Sequence, residues 1–257
     1  MAITREVSPA LARCELTHLS RRPIDPDLAR EQHHRYEACL AAAGFTVRRL
    51  PADPGLPDSV FVEDAAVVLD EVAILARPGA VSRRPEVPSI AEALRPYRTL
   101  VPIEAPATLD GGDILVVGRT IFAGASSRTD AEGIEALRRI AAPHGYEVRA
   151  VPVSRCLHLK SAVTRVSERA VLIHPGWVEP SHFSGLELIE IDPAEPFAAN
   201  ALVAGETVIY PEAFPRTLAR LEARGLRVVT VDVSELAKAE GAVTCCSLLF
   251  EVHETPP

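Results

Sequence analysis

Three residues far apart in the chain have the types that nucleophilic catalysis needs: Cys245, His158 and Asp110. A thiolate is a strong nucleophile, an imidazole can hand a proton to a leaving group, and a carboxylate can orient that imidazole and favour its charged form. Each has a plainer reading when taken alone. Cys245 stands in Val243-Thr244-Cys245-Cys246-Ser247-Leu248-Leu249-Phe250, just after Gly241, a run that reads as a buried strand in which a cysteine is a small core residue. His158, in Cys156-Leu157-His158-Leu159-Lys160, sits among apolar neighbours at an expected strand start. Asp110 precedes Gly111-Gly112, where the backbone can bend sharply, so alone it is a turn residue. Neighbours on a strand point to opposite faces, so only one of Cys245 and Cys246 can face a shared cavity. Cys246 is expected in the outer packing layer, its thiol raised in pKa and inert, leaving Cys245 as the first site of alkylation.

A second set could bind a cation that carries a carboxylate. Glu63-Asp64, inside the apolar run from Val60 to Ala66, is costly to bury without cationic partners, and a guanidinium would satisfy both acids. Asp58 lies just ahead in a loop. Arg83, after Arg77-Pro78-Gly79, and Arg128, before a helix start, are forks that fit an α-carboxylate.

Residues spread over some 180 positions can act together only if the fold gathers them. Helix signals are clear at Asp25-Pro26, which predicts a helix from about 26 to 43 stopped by Gly44, and at Thr129 with Glu132, a capping box for a helix to about Ala142. Shorter helices are expected from Ser89 with Glu92, over Pro215–Arg224 and over Ser234–Glu240. Between them run short strands at Val60–Val62, Ala66–Leu69, Ala73–Leu75, Ile114–Val117, Thr120–Ala123, Ala170–Ile173, Val208–Tyr210 and Val228–Val231. One plan recurs: a polar residue, a strand, a turn, a second strand, a break and usually a helix. Its heads are Glu63, Asp110, His158, Asn200 and Cys245, at steps of 47, 48, 42 and 45 residues. The last is half a unit, which Cys14–Thr17 at the N-terminus would complete as a clasp. The ring would then point its polar heads at one axis, within a single domain spanning 1–257.

Composition bounds the partners. The 257 residues include 47 % hydrophobic and 24 % charged side chains, as in a globular protein with a large core. The formal charge of −8 lacks the basic footprint that nucleic acid or anionic lipid requires. Neither Met1–Arg13 nor the longest apolar stretch, Ala65–Ala76 with Asp70 and Glu71 inside it, has signal or membrane character, so a cytoplasmic location is expected. Five cysteines without zinc spacing read as reduced thiols.

The motifs together resemble the dimethylarginine dimethylaminohydrolase family of the guanidine-modifying superfamily. The matching stretches are Leu56–Asp64, Arg77–Ala80 with Ser82–Arg84, Thr108–Asp113, Ser127–Thr129, His158–Lys160, Ala198–Asn200 and Thr244–Ser247, in the family's order. The resemblance implies an α/β propeller of five ββαβ units with pseudo-fivefold symmetry around a central active site. It implies Cys245 as nucleophile, His158 as proton donor and Asp110 as its orienting carboxylate. Asp64 with Glu63 would bind the guanidinium. Arg83, Arg128, Asp58, Leu16 on a lid-like loop and the backbone of Ala239 would hold the amino-acid end. The activity implied is hydrolysis of methylated arginine to citrulline and an amine through a covalent thiouronium. No cofactor is implied, although zinc can inhibit by binding the thiol, and the assembly would be a monomer or homodimer. The rivals are an arginine deiminase and a silent amino-acid-binding relative. Deiminases carry an acid two residues after the histidine, where this chain has Lys160, while all of Cys245, His158 and Asp64 are present, against the silent form.

Overall fold

A hairpin followed by a helix and a parallel third strand is the unit from which the whole chain is built; the computed structural model describes residues 1–252. Strand β1 (Ala2–Arg5) leads through α1 (Pro26–Ala42) to β2 (Val47–Leu50), parallel to it. The next blade is the hairpin β3 (Ala66–Val68) and β4 (Val72–Leu75), then α2 (Val87–Leu94) and β5 (Thr99–Pro102) alongside β4. The pattern repeats in β6 (Ile114–Val117), β7 (Thr120–Ala125), α3 (Ala131–Ala141) and β8 (Glu147–Pro152). A one-turn helix, α4 (Leu159–Ala162), opens the blade of β9 (Val163–Arg165), β10 (Ala170–Ile173) and β11 (Glu187–Glu190), where a 3-10 turn at Pro180–Phe183 replaces the crossover helix. Then come β12 (Leu202–Ala204), β13 (Thr207–Pro211), α5 (Pro215–Glu222) and β14 (Arg227–Val231). After α6 (Ser234–Ala237), β15 (Leu248–Leu249) pairs antiparallel with β1 and closes the circle in the order β15-β1-β2. Five three-stranded sheets result, the pseudo-fivefold α/β propeller that the repeat predicts.

Local chemistry explains most boundaries. The Asp25 carboxylate accepts from the N–H groups of Asp27 and Leu28, and Pro26 occupies the first turn, where its missing N–H costs nothing. Tyr36 and Leu40 of α1 are fully buried, each contributing roughly 2 kcal/mol, and the Tyr36 hydroxyl meets Ser247 Oγ at 2.6 Å. The apolar side chains pack between adjacent blades, as with Ile74, Ile114, Ile121 and Leu137 between the first two hairpin blades. The blades' inner ends are thereby left to polar groups.

Four expectations differ from the structure. The clasp is Ala2–Arg5 rather than Cys14–Thr17, because β1 supplies free edges to both β15 and β2 while residues 14–20 form a loop. Val60–Val62 is turn leading into a 3-10 segment, Val62–Ala65, instead of strand. Helix α3 is capped by Asp130, which accepts from Gly133 N–H, since the Thr129 hydroxyl is engaged by Asp110 and Asp113. Ser89 lies inside α2 and donates to the Glu86 carbonyl rather than capping. Among the described residues, no helix is long and apolar enough to cross a membrane.

Candidate active site

The polar heads lie on the short connectors that enter each hairpin, and they bind one another around the axis. Gly112 N–H donates to Asp64 Oδ1 (3.0 Å), Leu159 N–H to Asp113 Oδ1 (2.9 Å) and Asn200 Nδ2 to the Lys160 carbonyl (3.0 Å). Thr244 N–H donates to Asn200 Oδ1 (3.1 Å), and Glu63 N–H returns to the Cys245 carbonyl (3.1 Å). This closed circuit passes once through every blade and gathers Glu63, Asp64, Asp110, His158 and Cys245. The glycines of the second head are steric necessities: a Cβ on Gly111 would lie 1.9 Å from the Glu63 carbonyl oxygen, and one on Gly112 2.5 Å from His158 Nδ1.

His158 is 5 % exposed and its Nε2 meets Asp110 Oδ2 at 3.0 Å. The other oxygen of Asp110 accepts from Gly79 N–H at 2.9 Å, which locks the carboxylate. His158 Nδ1 faces the opposite way, 3.8 Å from Asp64 Oδ1. Burial opposes charge on the ring, but Asp64, Asp110 and Asp113 outweigh it and push the imidazole up to about 9. Burial alone would raise Asp64; His158, Arg83 and Lys160 instead hold it down at about 2. Asp64, Asp110 and His158 each offer a ligand atom within 4.8 Å of the others, a spacing a metal ion could bridge. Binding there would have to displace the ring's proton, and Nε2 is already engaged with Asp110.

The acids Glu63 and Asp64 already have protein cations. Lys160 Nζ pairs with Glu63, whose other oxygen accepts from Thr244 Oγ1 (2.9 Å), and Arg83 Nη1 pairs with Asp64. Buried carboxyl groups still outnumber cations, since Asp58, Glu63, Asp64, Glu86, Asp110 and Asp113 are set against Arg83, Arg128, Lys160 and His158. Such a cage favours a further cation. Glu86 and Asp113 play parts that the sequence reading did not assign. Asp113 accepts from Ser126 and Thr129 hydroxyls as well as Leu159 N–H, tying the His158 and Arg128 segments together, and burial pushes it up to about 6. The three-residue step from Arg83 to Glu86 is the signal that could have revealed Glu86.

Cys245 and Cys246 lie in a turn, residues 243–246, and not on a strand, so strand alternation does not separate them. Burial does. Cys246 is 0 % exposed within the apolar cluster beneath α1, while Cys245 is half-buried beside Glu63. Burial, then Glu63 and Asp64, push the Cys245 thiol far above its ordinary value, so the resting sulfur is protonated rather than held as thiolate by His158.

The residues expected to hold an amino-acid end gather around one loop or lie beneath it. Asp58 accepts from Glu15 N–H at 3.1 Å, and Arg128 Nη2 donates to Thr17 Oγ1 at 2.9 Å, so both touch the loop of residues 14–20 that carries half-buried Leu16. Ala239 is buried just before Glu240, a left-handed residue (φ 59°). The Glu240 carboxylate accepts from Thr17, His18 and Leu19 N–H groups at 2.5–3.1 Å, and it holds the loop down. Arg83 lies deeper, its Nε and Nη2 fork filled by Glu86.

Residues 19–253 match the family described as N,N dimethylarginine dimethylhydrolase, eukaryotic. The chain is 41 % identical over 256 residues to an N(G),N(G)-dimethylarginine dimethylaminohydrolase of Streptomyces coelicolor, covering 98 % of each. A cysteine-to-serine mutant of the Pseudomonas aeruginosa enzyme, complexed with citrulline, superposes with a TM-score of 0.92 at 36 % identity, covering 97 % of this chain and 98 % of that one. A dimethylarginine dimethylaminohydrolase adduct with S-methyl-L-thiocitrulline superposes equally well. Sequence and fold agree over nearly the whole length, and the chain belongs to the dimethylarginine dimethylaminohydrolase family.

Proposed function

We propose that this chain hydrolyses N-omega-methylated L-arginine to L-citrulline and dimethylamine or methylamine. The observation that carries this reading is the acid-rich ring of blade heads, in which Asp64, His158 and Cys245 converge while Glu63 is already neutralised by Lys160. Asp64 fixes the planar guanidinium, with Glu63 beside it. Asp58, Arg128, Leu16 and the Ala239 backbone hold the amino-acid end, which Arg83 reaches through the one Nη1 N–H that Asp64 does not take. The arriving cation offsets the two carboxylates that keep the Cys245 thiol protonated, the thiol gives its proton to solvent, and the thiolate attacks the central carbon. A carbon–sulfur bond forms, the carbon–nitrogen bond to the methylated amine breaks, and His158 Nδ1 gives that amine its proton. The same nitrogen then takes one proton from water, whose oxygen displaces sulfur from the thiouronium, and the second proton goes to the departing sulfur, leaving the neutral ureido group and the resting thiol. The chemistry needs no cofactor, because the carbon is activated by the substrate's own charge.

The single domain acts as monomer or homodimer, and the five unpaired thiols support a cytoplasmic setting. Lys160, in place of a second free carboxylate, leaves one side of the guanidinium open for methyl groups. Asymmetric dimethylarginine should therefore be turned over at least about tenfold faster than arginine at equal concentration. Citrulline assays with the two substrates decide it, and a preference for arginine would move the chain to deiminase chemistry. Gly112→Ala, whose methyl must displace His158 Nδ1, should lower kcat/KM by about 100-fold, in keeping with a displacement of roughly 1 Å. Normal kcat/KM in that variant would mean that His158 tolerates displacement.

A further inference from the structure

Arg83 and Glu86 lie three residues apart on the 3-10 turn Val81–Glu86, where side chains at that spacing eclipse one another. Both are buried, at 6 % and 4 % exposure. Glu86 takes the side-on fork of the guanidinium: Nε donates to Oε1 at 3.0 Å and Nη2 to Oε2 at 2.7 Å. Nη2 also reaches the carbonyls of Asp58 (3.3 Å) and Phe61 (3.2 Å). Only Nη1 is left for Asp64, at Oδ2, while Asp64 Oδ1 accepts from Gly112 N–H.

We propose that Glu86 is a positioning residue for substrate recognition: by occupying the Arg83 fork, it stops Arg83 from closing side-on over both Asp64 oxygens and keeps that carboxylate open to the substrate guanidinium. An arginine beside two carboxylates pairs bidentately with whichever is better aligned. Without the Glu86 charge, Asp64 is, among the described residues, the only carboxylate already paired with Arg83, and the fork would turn onto it. The protein would then bind its own guanidinium where the substrate's belongs. Glu86 does this without touching substrate, and it rests on the assignment of Asp64 as the guanidinium-binding acid.

The test uses Glu86→Gln and Glu86→Asp in the full chain, with two ligands. Asymmetric dimethylarginine has both a guanidinium and an amino-acid end; acetamidine has a planar amidinium alone. Glu86→Gln should raise KM for dimethylarginine by about tenfold or more with kcat within about threefold, and raise the acetamidine dissociation constant, measured by calorimetry, by the same factor. Glu86→Asp, which keeps the charge, should recover both to within about threefold of wild type. If KM rises while acetamidine binding stays as in wild type, Glu86 acts on the substrate's carboxylate through Arg83 and the proposal is wrong. Unchanged values in both measurements overturn it as well. Should Glu86→Gln fail to fold, Glu86→Ala, which also removes the charge, is put through the same two measurements and read in the same way. Wild type inactive on dimethylarginine would refute the proposed function, while the acetamidine comparison would still judge Glu86.

Discussion

Cys245→Ser should turn over asymmetric dimethylarginine at least about 10⁴-fold more slowly than wild type while still binding it. The reason lies in the resting charge state. Burial and the Glu63 and Asp64 carboxylates push this thiol up, so on the proposed mechanism its ionisation depends on the substrate cation offsetting them. A serine hydroxyl ionises far less readily, and the same cation cannot bring it within reach at neutral pH. Single-turnover citrulline formation with calorimetric binding separates the two effects. A variant rate within tenfold of wild type would remove Cys245 from the chemistry. Iodoacetamide in the absence of substrate should label Cys245 before Cys246, since the Cys246 sulfur is fully buried and donates to the Ala242 carbonyl. Peptide mapping that placed the first adduct on Cys246 would transfer the role to its neighbour.

Asp110→Asn should lower kcat/KM by roughly 10²–10⁴ and move the alkaline limb of its pH profile to lower pH. In wild type, His158 is held up at about 9 despite its burial, with Asp64, Asp110 and Asp113 as the charges responsible. The ring therefore carries its proton through the neutral range, and loss of activity on this account begins only as pH rises toward 9. The asparagine must keep its oxygen on Gly79 N–H, which turns its amide N–H groups toward His158 Nε2 and makes that nitrogen an acceptor. Both the charge and the proton's location are then disfavoured. Stability follows the same sign: the folded value lies above the ordinary 6.5, so the ion pairs stabilise fully below about 6.5 and their contribution fades as pH rises through 9. A variant whose profile coincided with wild type would show that Asp110 has no influence on the proton.

Helix α1 and the period of the blades are legible in the sequence because their causes are local. A capping aspartate, a proline after it and a glycine at positive φ mark α1 without reference to anything distant. The polar heads stand out because each is an ionisable, amide or thiol group ahead of an apolar strand, and their near-constant step reflects one repeated unit. What escapes reading depends on partners elsewhere. Thr129 looks like a cap, yet a buried carboxylate outcompetes the helix for its hydroxyl. Glu86 looks like a surface acid in Arg84-Pro85-Glu86, and only its burial against Arg83 shows otherwise. Ala2–Arg5 has too little pattern to announce a strand; its pairing is set by β15 and β2, far along the chain or across a helix. The turn at Cys245 reads as strand because Val243 to Phe250 is apolar, and periodicity alone does not separate a buried turn from a buried strand.

The sheet β15-β1-β2 places the second residue of the chain beside residue 249, with the proposed nucleophile just upstream of that seam. Every other blade can form from a stretch of consecutive residues, at the modest loop-closure entropy of local contacts. This last one must wait for the most distant strand pairing among the described residues, so it should form late and at the slowest rate. A nascent chain would carry four assembled blades and an open seam until β15 is released and can pair with β1. Chemical competence therefore arrives only with ring closure, and hydrogen exchange should find the same seam the first to open.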